Sequence, residues 1–218
     1  MVTLPIWSPV PSLVSPSPMP CHIRSAKTHD LPQLADVLAG SFYPPLGWRR
    51  CFYPVLRFSI YEDLKQRLQA NQKHYRCLAA IAARHTHLDD LVVGTLEMSC
   101  RRYSWYAFHQ PQQIYLSNLA VREEYRRRGV ARQLLQSAEQ KAVDWGFREI
   151  NLHVMADNSR ARHLYEQMGY RLQRAEVTLL SLLNMQPQRL LLKKTLPRYG
   201  TTHRDNSQPR QTSLGMPT

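Results

Sequence analysis

The residues with the plainest chemical purpose lie in Arg126-Arg127-Arg128-Gly129-Val130-Ala131-Arg132, between the apolar run Leu119-Ala120-Val121 and the start of a helical pattern. The order strand, basic turn, helix start makes a cradle for an anion. The first amides of a helix have no intrahelical acceptors and point at whatever sits there. Gly129 lets the backbone approach closely, Ala131 keeps the next contact thin, and Arg127, Arg128 and Arg132 add positive charge, a combination suited to a diphosphate. Further along, Ile150, Leu152 and Val154 alternate with Asn151, His153 and Met155, which predicts a strand with one apolar face and His153 opposite it. Asn158 then opens a short helix that carries Ala161, Leu164, Tyr165 and Met168 on one stripe and closes at Gly169-Tyr170.

The spacing Arg126-x-x-Gly129-x-Ala131, followed by Asn158, Ala161, Tyr165, Gly169 and Tyr170, resembles the paired motifs of the GCN5-related N-acetyltransferases (GNAT), in the same order. That resemblance implies acetyl-coenzyme A as co-substrate. Arg126, Arg127, Arg128, Gly129, Val130, Ala131 and Arg132 would hold its pyrophosphate, and the backbone of Leu119, Ala120 and Val121 its thioester and pantetheine. Asn158 would hydrogen-bond the pantetheine arm, with a helix N-cap as its ordinary alternative. Tyr165 would protonate the departing sulfur, with a packed core position as its alternative.

The acceptor amine also needs a base. In the ribosomal-protein N-terminal acetyltransferases, which this core resembles, a glutamate stands where this chain has His153. A histidine, with an unperturbed pKa of about 6.5, is a reasonable base at neutral pH. Glu97, on a neighbouring hairpin, is the alternative, acting directly or through water. Cys100 suggests an acetyl-cysteine route, but nothing near it in sequence activates a thiol, so direct attack in a ternary complex is expected. Cys21, Cys51, Cys77 and Cys100 have no C-x-x-C spacing and no partnered histidine pattern, which argues against metal and disulfide frameworks.

The resemblance thus implies acetyl transfer to a primary amine, on a protein N-terminus or a lysine. The segment His153-Val154 before Asp157-Asn158, with the leucine-rich strand after Arg189, is most similar to the plastid and cyanobacterial protein acetyltransferases of the family. A small-molecule amine acetyltransferase and a non-catalytic acyl-CoA-binding module are the alternatives.

At 218 residues the chain holds one domain, expected over 21–196. Residues 1–20, rich in proline and serine and lacking both a basic start and an unbroken apolar run, read as a flexible lead-in. Residues 197–218 read as a mobile polar tail. A formal net charge of +13 points to an anionic partner. Nucleic acid is the rival explanation, but the basic residues are scattered and no zinc-finger, RRM or KH signature is present. No stretch approaches the roughly 20 apolar residues of a membrane span. A soluble, cytoplasmic protein is the expectation.

Residues 22–26 predict a first strand, and Thr28 and Asp30 offer caps for a helix with Pro32 in its first turn and Leu31, Leu34, Ala35 and Leu38 on one stripe. Phe42, Tyr43, Trp48, Phe52, Tyr53, Phe58 and Tyr61 are expected mostly as core or packed loop, with one or two at an acceptor pocket. A helix over 64–68 follows, then strands over 77–81 and 91–98 joined by the turn His87-Leu88-Asp89-Asp90. The strand at 113–121 leads to the basic turn. The next helix runs from Val130 to a stop at Gly146, with Trp145 the last residue of its stripe, and strands are expected over 170–174 and 189–194. Val177 to Leu183 fits a strand end or a packed loop. Together these give an α/β (α+β) fold: a mixed, largely antiparallel central sheet with helices on both faces.

Overall fold

The computed structural model describes residues 21–43, 51–70, 72–82, 90–101, 112–176 and 187–197. Its strands are β1 (Cys21–Ser25), β2 (Tyr75–Ala82), β3 (Leu91–Arg101), β4 (Gln113–Val121), β5 (Glu149–Met155), β6 (Arg171–Glu176) and β7 (Arg189–Thr195). They form one seven-stranded sheet in the order β1-β2-β3-β4-β5-β7-β6. Every neighbouring pair is antiparallel except β4 and β5. Parallel neighbours need a crossover, and helix α3 (Val130–Asp144) supplies it.

Each face of the sheet has its own core. On one face α1 (Leu31–Phe42) and α2 (Tyr53–Gln69) bring Leu31, Leu34, Leu38 and Leu64 against Ala79, Ile81 and Val92. On the other, α3 and α4 (Ser159–Gln167) bring Leu134, Leu135, Ala138 and Tyr165 against Leu96, Ile114, Leu116 and Leu152. The expected sheet with helices on both faces is what forms. No described helix is long and apolar enough to cross a membrane.

Asp30 secures the start of α1 differently from a side-chain cap. Its buried carboxylate accepts from the Lys27 backbone at 2.7 Å and from Arg24 at 2.6 and 2.9 Å, which ties β1 to the helix. At the start of α3, Gly94 lets the helix lie directly on β3. A Cβ there would meet the Ala120 carbonyl at 3.0 Å and side chains of Leu134 and Val130 at 3.2 Å.

The aromatic set between α1 and α2 departs from expectation. Phe42 and Tyr43 are half exposed, and Phe52 and Phe58 more so. The reason is layering: α2 packs chiefly on α1 and buries only Leu64, so its outer side faces solvent. Tyr53 and Tyr61 are partly buried, and Trp48 lies outside the described residues. The lead-in, the tail beyond 197, the turn over 83–89 and Val177 to Leu183 lie outside them too.

Candidate active site

The site begins where two strands part. β4 and β5 pair at Ile114 with Ile150, Tyr115 with Asn151 and Leu116 with Leu152, and the pairing ends there. From Ser117 onward the β5-facing backbone of β4 has no strand partner. On its other edge, β4 pairs Ser117 with Glu97 and Ala120 with Thr95, so β4 spends one residue more than β3 over this stretch. The surplus is a β-bulge with Asn118 left-handed at φ 54°, a conformation Asn tolerates better than most residues. The bulge also reverses side-chain parity. Leu116, Leu119 and Val121 pack toward the α3 and α4 side, whereas Ala120 joins the core under α1 and α2.

A cavity of about 300 Å³ occupies the opening, with Ser117, Asn118 and Leu119 of β4 in its wall. Phe42, Tyr115 and His153 line it as well, together with Leu135, Leu152 and Tyr165. Tyr115 and His153 alternate with Leu116 and Leu152, so they stand on the α1 and α2 face while Leu135 and Tyr165 stand on the other. The cavity therefore passes through the sheet.

On the first side, His153 is held at both ring nitrogens. Nε2 lies 2.9 Å from the Glu176 carboxylate and Nδ1 lies 2.8 Å from the Tyr115 hydroxyl. The His153 hydrogen bond is the main cause that holds the Glu176 carboxyl below its ordinary range, and Arg174 at 3.3 Å adds to it. A neutral imidazole that donates Nε2–H to a carboxylate presents Nδ1 as the acceptor. In that tautomer Nδ1 accepts from the Tyr115 hydroxyl.

On the second side, Tyr165 is buried edge-on to the Tyr170 ring at 5.8 Å. Burial, with the nearby Tyr115 as a second cause, pushes its phenol up to about 12, so it carries its proton at neutral pH. Asn158 also lines the cavity, and its Oδ1 caps α4 by accepting from the Ala161 amide at 3.1 Å. The cap leaves the two donors of its amide nitrogen for other partners.

Beyond β4 the chain makes a 3-10 turn over Glu123–Tyr125, then places Arg127 at φ 64° and Gly129, the N-cap of α3, at φ 76°. Left-handed residues this close together curl the backbone so that amides gather at the helix start, an anion-binding shape. The arginines brace it. Arg126 Nε donates to the Val121 carbonyl at 3.1 Å, Arg128 lies over the Tyr125 ring, and Arg132 reaches Gln167 of α4 at 2.8 Å.

The structure does not bring every candidate together. Glu97 is buried and is not part of the cavity wall. Cys100 lies apart as well, with Sγ 3.4 Å from Gln112 Oε1, and no cysteine lines the cavity. Buried Cys77 has its thiol pushed up to about 12, by burial first and by the charge of Glu97 second. Among the described residues no group of three or more His, Cys, Asp or Glu side chains is placed to hold a metal ion. Tyr115, Asn118 and Glu176 were not anticipated. Strand alternation carries a signal for Tyr115, which shares its face with His153.

Residues 44–170, more than half of the chain, match the model of the Acetyltransferase (GNAT) family. The chain belongs to that family. Among curated family members it is similar to "GCN5-related N-acetyltransferase 7, chloroplastic" of Arabidopsis thaliana, at 34% identity over 118 residues. That match covers 50% of this chain and 43% of the relative, so the chain spans less than half of the relative's length. Among solved structures, it is similar to the PaiA N-acetyltransferase of Thermoplasma acidophilum in complex with coenzyme A (TM-score 0.60, 21% identity, 81% of this chain and 99% of the other). The ribosomal-protein-alanine N-acetyltransferase of Brucella melitensis is similar too, with TM-score 0.58, 20% identity and coverage of 80% and 99%. These likenesses establish the GNAT fold.

Proposed function

We propose that this protein is an acetyl-CoA-dependent N-acetyltransferase whose acceptor is a primary amine of a protein, an N-terminus or a lysine side chain, attacked directly in a ternary complex. One observation carries the proposal: the cavity runs through the sheet with a proton-accepting pair on one side and a buried, protonated phenol on the other. Acetyl transfer to an amine needs both. The absence of any cysteine from the cavity wall supports direct attack.

Acetyl-coenzyme A supplies an activated acyl group, and the residues present fit it. The amides at Gly129 and the first turn of α3 suit a diphosphate, the unpaired edge of β4 suits an amide-bearing arm, and the donors of Asn158 face the same cavity. At the far end, Tyr115 accepts a proton from the attacking amine as its own passes to Nδ1 of His153, and Glu176 stabilises the imidazolium that results. Tyr165 returns a proton to the leaving thiolate. Phe42, half exposed on the α1 side, borders the entrance for the acceptor.

The test is incubation with acetyl-CoA, a mixed peptide library and a panel of small amines, read by mass spectrometry. A mass gain of one acetyl group on peptide amines is the expected result. Acetylation of small amines alone would assign the acceptor to that class instead, and acetyl-CoA binding without turnover on any acceptor would make the chain a binding module.

A further inference from the structure

Glu97 is one of the few charged side chains buried among the described residues, and the chemistry above does not use it. An unpaired buried charge is costly, so its partners are informative. Oε2 accepts from Arg67 Nη1 at 3.0 Å and from the Tyr75 hydroxyl at 2.8 Å. Oε1 accepts from Asn118 Nδ2 at 2.6 Å. A base must reach the substrate's proton, and this carboxylate is buried and is not part of the cavity wall.

Its partners sit at two functional points. Asn118 is the left-handed residue of the β4 bulge and is itself in the cavity wall. Arg67 belongs to α2, the helix that exposes Val55 and Phe58, and it also binds Asp63 at 2.7 Å on the same helix. Tyr75 completes the enclosure, its hydroxyl held protonated by burial and by the charge of Glu97. A carboxylate at this position is thus a fixed acceptor that takes hydrogen bonds from a helix on one side and from the bulge on the other.

We propose that Glu97 is a positioning residue that locks the β4 bulge through Asn118 and, through Arg67, fixes α2 against the same point. The bulge directs the backbone of Ser117 to Leu119 into the opening between β4 and β5, so the lock sets the width and the amide geometry of the site. This proposal rests on the acetyl-CoA reading for its effect on activity. The lock itself can be tested without any ligand.

The experiment uses the full chain and the variants Glu97→Gln, Asn118→Asp and the two combined. Glutamine in place of Glu97 still accepts from Arg67 and Tyr75 but replaces the charge-assisted bond from Asn118 with at best a neutral amide–amide contact. The combined variant exchanges acceptor and donor across the same contact. Amide hydrogen exchange over 117–121, measured without ligand, should quicken about tenfold or more in each single variant, the worth of a lost charge-assisted hydrogen bond, and recover in the combination. The dissociation constant for acetyl-CoA should follow the same pattern, with the pH profile of kcat unchanged in shape. Asn118→Gly breaks the same bond while keeping left-handed freedom, so it reports the lock even if Glu97→Gln fails to fold.

Unchanged exchange in the single variants, or no recovery in the combination, would overturn the lock. Loss of kcat with unchanged exchange and unchanged acetyl-CoA affinity would overturn it too, and would make Glu97 the base. The exchange pattern across the variants, found together with a wild-type protein that binds no acetyl-CoA, would refute the acetyltransferase reading and leave the lock standing.

Discussion

The hydroxyl of Tyr115 lies 2.8 Å from Nδ1 of His153, a diagonal contact across the last backbone rung between β4 and β5, from a paired residue of β4 to the first residue of β5 unpaired with it. The side chains bridge the strands at the point where the backbone pairing ends. The same contact closes one wall of the cavity and links a phenol to an imidazole whose other nitrogen faces Glu176.

Tyr165→Phe removes the proposed acid and leaves the apolar packing. Turnover should fall about 10²–10⁴-fold, the usual worth of a positioned acid, with acetyl-CoA affinity little changed. The phenol is pushed up to about 12, so it holds its proton across the working range and loses it only near that pH. Hence kcat of the wild type should show no basic limb from Tyr165 between pH 7 and about 10. Steady-state kinetics with a single peptide acceptor, run across that range, checks both points, and wild-type turnover in the variant would mean the residue is only packed.

Much of this site follows from local rules that a sequence displays. β4 occupies the predicted span because Ile114 and Leu116 alternate with Tyr115 and Ser117, and the turn before α3 is marked by its glycine and arginines. The bulge is not displayed. Asn118 permits a left-handed backbone without requiring it, and the reversal that sends Ala120 to the opposite core follows only from the register against β3. Glu176 meets His153 because β7 and β6 lie in that order beside β5, a long-range fact with no periodic signature. The aromatics around α2 show the same limit: the sequence predicts a helix only over 64–68, whereas α2 begins at Tyr53, and nothing local shows that it is the outermost layer.

Gly129→Val tests the phosphate turn. Gly129 sits at φ 76°, where a β-branched residue is strained, and the new side chain would stand over the helix-start amides. Acetyl-CoA binding should be abolished while the thermal midpoint drops only slightly. Calorimetry with unchanged affinity would remove the turn from the site. Neutralising Arg127, Arg128 or Arg132 singly should weaken binding more gently, because the amides remain.

Asp30→Asn tests the tie between β1 and α1. Burial would raise this carboxyl, but the hydrogen bonds from Arg24 and the Lys27 backbone outweigh it and hold the folded value below 3.8. A depressed carboxylate stabilises the fold above its unfolded pKa, and that contribution is lost as pH falls through the folded value. The variant loses the charge behind the bonds from Arg24 and the Lys27 amide, hydrogen bonds of a kind worth about 1.5–3 kcal/mol, while Arg24 keeps Asp90 at 3.1 Å. Urea denaturation should therefore show the variant less stable at pH 7, with the gap to wild type closing below pH 3.8. A gap that persists undiminished in acid would assign the loss to packing instead of charge.

The base and the acceptor can be examined together by proton arithmetic. A free α-amine has a pKa of about 7.7–8.0 and lysine about 10.4, so at neutral pH roughly a tenth of the former and a thousandth of the latter is nucleophilic. Lysine depends more on a group that removes its proton. If Tyr115 and His153 form that group, His153→Gln and Tyr115→Phe should each slow lysine acetylation more than N-terminal acetylation of the same peptide at pH 7. Raising the pH deprotonates more of both amines and should narrow the difference. Glu176→Gln should act in the same direction but more weakly, since it only supports the imidazolium. Rates on paired peptides, one blocked at its N-terminus and one without lysine, measure this directly. Equal losses on both acceptors at every pH would show that the proton leaves through water, and the Tyr115–His153 pair would then be a clasp that holds the strands apart from any part in proton transfer.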